Sequence, residues 1–326
     1  MDILVLGAGA WGTALAKVLH QNGHAITLWT RDSSALAELE RTRRNERYLP
    51  GIELPGDWTF EADLPKAVQA RDCVIVAIAS QGFRSVAERL ADSQSIMVSV
   101  TKGIEYDTGK TMCGVLRECA PRARTVALSG PTFAGEVARG MPTAIVAASE
   151  DSDARHVVQE LFHQSRFRVY RSADLIGVEL GGALKNIIAI AAGVCDGLGF
   201  GDNSKAALIT RGVAEVRRLG VACGAQAETF AGLSGLGDLM LTCFSRQSRN
   251  RALGERCGRG EKMETLVRPG EKLAEGVPTA RSAFRLARRL NVETPIIDEV
   301  HAVLYEGKDA RKAVLDLLSR DSKAED

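Results

Sequence analysis

An excess of charge of one sign is the first thing this 326-residue sequence lacks: Lys plus Arg number 42 and Asp plus Glu 41, a formal net charge of +1. That balance gives no footing for a polyanion partner such as DNA, so any anion site must be local. Long hydrophobic runs are also missing, none approaching the length needed to span a bilayer, and the residues after Met1 read as a strand rather than a basic leader with a small-residue cleavage site. Neither membrane insertion nor export is expected, and the cytoplasm is. Paired cysteines are absent too. Cys73, Cys113, Cys119, Cys195, Cys223, Cys243 and Cys257 are scattered, odd in number and free of any C-x-x-C spacing, which reads as reduced thiols. The five histidines do not join them at zinc-ligand spacing, so no metal is expected.

What is present changes character once along the chain. Short Val- and Ile-rich runs at 3–6, 25–29, 73–79, 96–100, 125–128, 143–147 and 167–170 are nearly continuous, as strands buried on both faces should be. Helical stretches at 13–21, 34–43, 84–91 and 154–163 lie between them. Such alternation predicts an α/β fold with a parallel sheet covered on both faces. Beyond about residue 174 the strand signal stops. "LIGVELGGALKNIIAIAAGVCDGLGFG" reads as a long apolar helix, and the next helix is expected to start behind Asn203 or Ser204 and end at Gly224. Two domains follow, 1–173 and 174–326. Only the tail "DSKAED" looks frayed.

The sharpest local signal is "DILVLGAGAWGTALA", a strand running into Gly7-x-Gly9-x-x-Gly12 and then a helix. Gly7 permits the tight turn, Gly9 lets the backbone approach a pyrophosphate, and Gly12 lets helix and strand pack closely. The helix N-terminus then presents N–H groups and a positive dipole end to the phosphates. A dinucleotide is the expected ligand. At the end of the second strand, Arg31 stands where an acid would meet the ribose hydroxyls and favours a 2′-phosphate, while adjacent Asp32 leaves NADH open.

Ligands of open parallel sheets collect outside the carboxyl ends of the strands. There lie "VTKGIE", with Lys102, and "LSGPTFAGE", where Pro131 is expected at the first position of a helix. In "GVELGGALKNIIAIAAG", Lys185 shares a helical face with Gly181, Gly182, Ile188 and Ala189. Small neighbours leave room for a substrate and apolar ones disfavour the ammonium, which suits a proton donor to a developing alkoxide. Composition alone reads equally as a lysine snorkelling at the helix edge. Further on, Asp238 sits among apolar residues, and Ser248-Arg249-Asn250 offers a guanidinium fork with two neutral hydrogen-bonding side chains for a phosphate.

In order, "GAGAWGTALA", "NERYLPGI", "VTKGIE", "SGPTFAGEVARGMPTA", "GVELGGALKNIIAIAAG", "GLGDLMLTC", "QSRNR" and "AEGVPT" span residues 5 to about 280. Taken together they resemble the bacterial, soluble type of NAD(P)-dependent glycerol-3-phosphate dehydrogenase. The resemblance implies a Rossmann-like, doubly wound, mainly parallel sheet domain followed by an all-helical C-terminal domain. It implies reversible reduction of dihydroxyacetone phosphate to sn-glycerol 3-phosphate with NAD(H) or NADP(H), feeding glycerophospholipid synthesis. By the same resemblance, Lys185 is the acid/base. Substrate contacts fall to Lys102, Gly130, Thr132, Lys185, Asn186, Asp238, Ser248, Arg249 and Asn250. Cofactor contacts fall to Gly7, Gly9, Ala10, Trp11, Gly12, Arg31, Tyr48, Lys102, Ala134, Arg249, Leu273 and Glu275. Asp238 either touches substrate or orients Lys185. Apolar helical domains of this kind often pair, so a homodimer is expected. Two rivals stand at this point: a hydroxyacid dehydrogenase that binds a carboxylate, and a cofactor sensor without catalysis.

Overall fold

The computed structural model describes residues 1–266 and 273–321; the end read as frayed lies, beyond Asp321, outside the described residues. Two compact units emerge, Met1–Glu105 with Lys110–Glu179, and Tyr106–Gly109 with Leu180–Asp326.

The first unit is built on one eight-stranded sheet: β1 (Asp2–Leu6), β2 (Ala25–Trp29), β3 (Thr59–Phe60), β4 (Cys73–Val76), β5 (Ile96–Ser99), β6 (Arg124–Ser129), β7 (Thr143–Ala148) and β8 (Phe167–Ser172). Their spatial order is β3-β2-β1-β4-β5-β6-β7-β8. Pairing is parallel from β3 through β6, with Val5 opposite both Leu28 and Ile75. β7 runs antiparallel to β6, and β8 parallel to β7. The helices of this unit are α1 (Ala10–Gln21), α2 (Ser33–Thr42), α3 (Leu64–Val68), α4 (Phe83–Ala87), α5 (Met112–Cys119), α6 (Ala134–Ala138) and α7 (Ser152–Phe162).

Continuous apolar strands are explained by two cores. Ile3, Val5, Cys73, Ile75 and Val98 point to one, with Leu15 and Leu19 of α1, Val137 of α6 and Phe162 of α7. Leu4, Leu6, Val74, Val76 and Met97 point to the other, with Leu64 of α3, Phe83 of α4 and Leu116 of α5. Because side chains alternate across a strand, a two-faced core demands apolar residues at every position. Each such buried side chain contributes about 1.5–3 kcal/mol of transfer free energy.

The second unit is helical: α8 (Leu175–Gly197), whose residues from Leu180 on belong to it, α9 (Asp202–Ala222), α10 (Asp238–Phe244), α11 (Arg249–Gly258), α12 (Met263–Leu266), α13 (Gly276–Leu290), α14 (Pro295–Tyr305) and α15 (Ala310–Leu318). Contrary to the sequence reading, among the described residues one helix is long and apolar enough to cross a membrane. It is α8, with 94% of its most apolar eighteen-residue window buried, as in the core helix of a globular protein. Glycines let it meet α11 backbone to backbone. A Cβ on Gly193 would lie 2.0 Å from the Arg251 carbonyl oxygen, and one on Gly197 2.1 Å from that of Glu255. Reciprocally, a Cβ on Gly254 would lie 1.9 Å from the Ile190 carbonyl oxygen, and one on Gly258 2.5 Å from that of Val194. Any larger residue at these four positions would force the two helices apart.

Three helix boundaries differ from expectation. α9 starts at Asp202 behind Gly201, so neither Asn203 nor Ser204 is its cap; it ends at Ala222 with Cys223 as C-cap, and Gly224 follows. α6 starts at Ala134 behind Phe133, leaving Pro131 outside any helix.

Candidate active site

In the first unit the glycine motif lies where strand order reverses, with β1 between β2 and β4. That is the switch point at which open α/β sheets bind ligands. Gly7 follows β1 with φ of +113°, and a Cβ there would strike the Ala77 carbonyl oxygen at 2.5 Å. A Cβ on Gly12 would sit 2.1 Å from the Gly7 carbonyl oxygen. Both glycines are therefore required by the fold itself. Gly9 is different: a Cβ added there would meet nothing within 4 Å. Gly9 is the N-cap of α1 and supplies no side-chain cap to the first N–H groups of the helix. An uncapped helix start beside a glycine that packing does not require fits a pyrophosphate. Ala10 and Trp11 open α1, half-buried against the core, as does Ala134 at the start of α6.

Asn45, buried and quoted above only as part of "NERYLPGI", ties this loop down. Its amide donates to the Ala8 carbonyl at 2.9 Å and to Thr13 Oγ1 at 2.8 Å. Within that string nothing marks the role; an Asn a few residues past the end of α2 was the available signal. Tyr48 is exposed, with the Arg47 guanidinium 5.1 Å from its ring centre. Arg31 is exposed just past β2. Asp32 is engaged as the N-cap of α2, accepting from the Ala35 N–H at 3.0 Å and the Ser34 hydroxyl at 2.8 Å. Those hydrogen bonds hold its carboxyl below the ordinary range.

Lys102, Gly130 and Thr132 meet at one atom. The Gly130 carbonyl accepts from Lys102 Nζ at 3.3 Å and from Thr132 Oγ1 at 3.2 Å. Gly130 itself is held tightly, since a Cβ there would lie 3.0 Å from Ile145 Cα.

In the second unit Lys185 is 8% exposed and Asp238 is fully buried. Lys185 Nζ donates to Asp238 Oδ1 and to Thr242 Oγ1, each at 2.6 Å, and Thr242 donates in turn to the Asp238 backbone carbonyl at 2.6 Å. Asp238 opens α10 straight after a π-helical turn, Leu233–Gly237. Gly181, near Lys185, has a different explanation from the one given above. A Cβ on Gly181 would lie 2.8 Å from the Ser234 carbonyl oxygen, so the space is filled by the turn that presents Asp238. Lys185 is no snorkelling lysine, nor are its neighbours only apolar. A buried carboxylate fixes its head group and compensates an ammonium charge there. Thr242 escaped the sequence reading, because nothing local marks a hydroxyl 57 residues away as a lysine partner.

The remaining residues form a second cluster. Asn250 Nδ2 donates to Asn186 Oδ1 at 2.9 Å, and Asn250 Oδ1 accepts from the Gly276 N–H at 2.8 Å. Among the described residues, Asn186 Nδ2, fully enclosed, has no hydrogen-bond partner, as suits a donor to a ligand oxygen. Leu273 and Glu275, both half-buried, lie on the segment entering α13, and the Glu275 backbone carbonyl accepts from Thr279 Oγ1 at 2.7 Å. Ser248 is the N-cap of α11, accepting from the Arg251 N–H at 3.2 Å. Ser248 and Asn250 are buried whereas Arg249 is exposed, so the trio is split between a structural pair and one outward cation. Among the described residues no group of three or more His, Cys, Asp or Glu side chains has the arrangement to hold a metal ion.

A nucleotide-ready turn in an α/β unit and a buried lysine–carboxylate pair in a helical unit define a class: two-domain, nicotinamide-dependent dehydrogenases. Family models agree in detail. Residues 2–155 match the N-terminal domain, and residues 174–315 the C-terminal domain, of NAD-dependent glycerol-3-phosphate dehydrogenase. The chain is 49% identical to a glycerol-3-phosphate dehydrogenase [NAD(P)+] of Syntrophotalea carbinolica, over 100% of this chain and 99% of that one. It is 48% identical to one of a Geobacter species, strain M21, over 99% and 98%. The crystal structure of glycerol-3-phosphate dehydrogenase from Coxiella burnetii superposes with a TM-score of 0.94 at 38% identity, covering 98% of this chain and 99% of that one. The chain belongs to the NAD-dependent glycerol-3-phosphate dehydrogenase family.

Proposed function

We propose that the enzyme reduces dihydroxyacetone phosphate reversibly to sn-glycerol 3-phosphate, with Lys185 as the acid/base, and so feeds glycerophospholipid synthesis. The observation that carries this reading is the buried Lys185 head group, 2.6 Å from both Asp238 and Thr242. A bound nicotinamide supplies or accepts the hydride. Reduction of a carbonyl leaves negative charge on its oxygen, and Lys185 is the group able to give that oxygen a proton. Asp238 and Thr242 orient it and restrain its rotamer, a contact that supports the orienting role of the two left open for Asp238.

The Gly7–Gly12 turn, Ala10 and Trp11 hold the dinucleotide, with Tyr48, Ala134, Leu273 and Glu275 as further contacts. Arg31 supports a 2′-phosphate, because Asp32 is engaged in capping α2. Lys102 serves substrate and cofactor, as Arg249 does. Gly130, Thr132, Asn186, Ser248 and Asn250 complete the substrate contacts. Arg249 meets the phosphate end, whose binding holds the carbonyl in register. The enzyme works in the cytoplasm as a homodimer.

The test is NADPH and NADH oxidation, followed at the nicotinamide absorbance with and without dihydroxyacetone phosphate. Turnover that requires this substrate, and is faster with NADPH, is expected. Equal rates with a 2-oxo acid in its place would overturn the substrate reading. Size-exclusion chromatography with light scattering gives about twice the 35.0 kDa chain mass if the dimer is right.

A further inference from the structure

Three charged side chains of the helical unit take no part in the reading above, yet they meet in a largely enclosed cluster. Asp196, near the end of α8, receives Lys205 Nζ on both carboxylate oxygens at 2.9 Å and Arg251 Nη1 on Oδ2 at 2.5 Å. Side-chain exposures are 22% for Asp196, 9% for Lys205 and 12% for Arg251. One carboxylate thus separates two cations that lie in three different helices with it: α8, α9 and α11.

Arg251 does more than pair. Its Nε donates to the Ser245 carbonyl at 3.1 Å, the C-cap residue of α10, and its backbone N–H is the one accepted by Ser248 Oγ. Both ends of the Ser245–Ser248 turn are therefore fastened by the same residue. Lys205 closes the cluster from the other side, with its ammonium 4.9 Å from the ring centre of Phe244, the last residue of α10. That turn delivers Arg249. The backbone contacts of Gly193 and Gly197 with α11 set the height of α11 on α8; the Asp196 carboxylate reaches the turn that precedes α11 through Arg251.

We propose that Asp196, gripped by Arg251 and Lys205, is a positioning residue for the phosphate end of the substrate, acting by holding the 245–248 turn so that Arg249 is presented in one geometry. This rests on the reading of Arg249 as the phosphate anchor. A charge-assisted, forked hydrogen bond loses much of its strength when its geometry drifts, so a looser turn weakens anion binding before it touches the proton-transfer group.

The experiment is steady-state kinetics on the intact enzyme with dihydroxyacetone phosphate, with inorganic phosphate as a competing probe. Asp196→Asn should raise the KM for dihydroxyacetone phosphate about tenfold and weaken phosphate inhibition in step, as one lost charge-assisted contact does. The kcat should change less than about threefold, since Lys185 is untouched, and the KM for NADPH should rise less than that for dihydroxyacetone phosphate, since Arg249 is only one of the cofactor contacts and the glycine turn is untouched. Arg251→Lys is the second variant: it keeps the charge but loses the donor to Ser245, and should show the same KM rise should Asp196→Asn fail to fold. A merely structural cluster would instead lower Tm and the yield of active enzyme with KM and phosphate inhibition unmoved. That result in a folded variant overturns the proposal. Arg249→Ala separates the two layers. If it leaves KM and phosphate inhibition unchanged, the anchor reading fails and this inference with it; if it moves both while Asp196→Asn and Arg251→Lys move neither, the inference alone fails.

Discussion

Glycine does opposite jobs in the two units of this enzyme. In the sheet unit, Gly7 and Gly12 let a turn close on itself, and Gly9 stands against empty space that no protein atom needs. In the helical unit, Gly193, Gly197, Gly254 and Gly258 are packed against the carbonyls of a facing helix, and none of them touches a ligand in the proposed reading. The same residue type marks a binding surface in one place and a packing seam in the other. What tells them apart is the question of what an added methyl would hit. The lysines divide in a similar way: Lys102 is half-buried on a backbone carbonyl, while Lys185 is sealed against a carboxylate.

Substitutions can break that contrast, beginning with the packing seam. Gly254→Val should abolish soluble folded protein, because its side chain would overlap the Ile190 carbonyl far beyond the ~1–3 kcal/mol of ordinary overpacking; circular dichroism and expression yield check this. Asp238→Asn should lower kcat by about a hundredfold while nucleotide affinity stays, since it releases the proton-transfer group and leaves a buried ammonium without its counter-charge. Gly9→Ala should sharpen the comparison from the other side. Its φ of −71° admits alanine and the site is open, so Tm should not change, yet nucleotide Kd should rise about tenfold because the methyl occupies the pyrophosphate approach.

The smallest expected effect concerns Glu215, which is buried and accepts from the Ile296 and Ile297 N–H groups at the start of α14. Burial pushes its carboxyl up from 4.5 to about 7, with nearby Asp298 adding to the rise and the two N–H groups and Arg218 opposing it. A raised pKa means that folding takes up a proton between those values. The contribution to stability is therefore complete below pH 4.5 and lost as pH rises through about 7. Glu215→Gln cannot titrate, so its Tm should fall less than that of the parent across this window. An identical slope for the two proteins would show that the side chain stays ionised throughout.

Local pattern carried some of this molecule and long-range contact carried the rest. β1, the glycine turn, α1 and β2 were legible because each is specified by neighbours within a few residues. Lys185 was legible as an oddity in an apolar helix. Its setting was not, since Thr242 and the 232–237 turn reach it only through the fold. β3 has two residues, too short for any periodicity, and the reversal of β7 is a matter of connection rather than composition. Gly181 was misread for the same reason: small residues look like vacant space until the chain that fills it is in view. Asn45 and Glu215 were passed over because a polar residue that caps or pins backbone looks, in sequence, like any solvated one.

Rapid-mixing measurement of hydride transfer in Lys185→Ala, alongside its NADPH affinity, tests the central claim most directly. The account predicts a transfer rate with dihydroxyacetone phosphate reduced by about 10²–10⁴-fold, with NADPH bound as tightly as by the parent. An unchanged transfer rate would contradict it and hand the proton to another group.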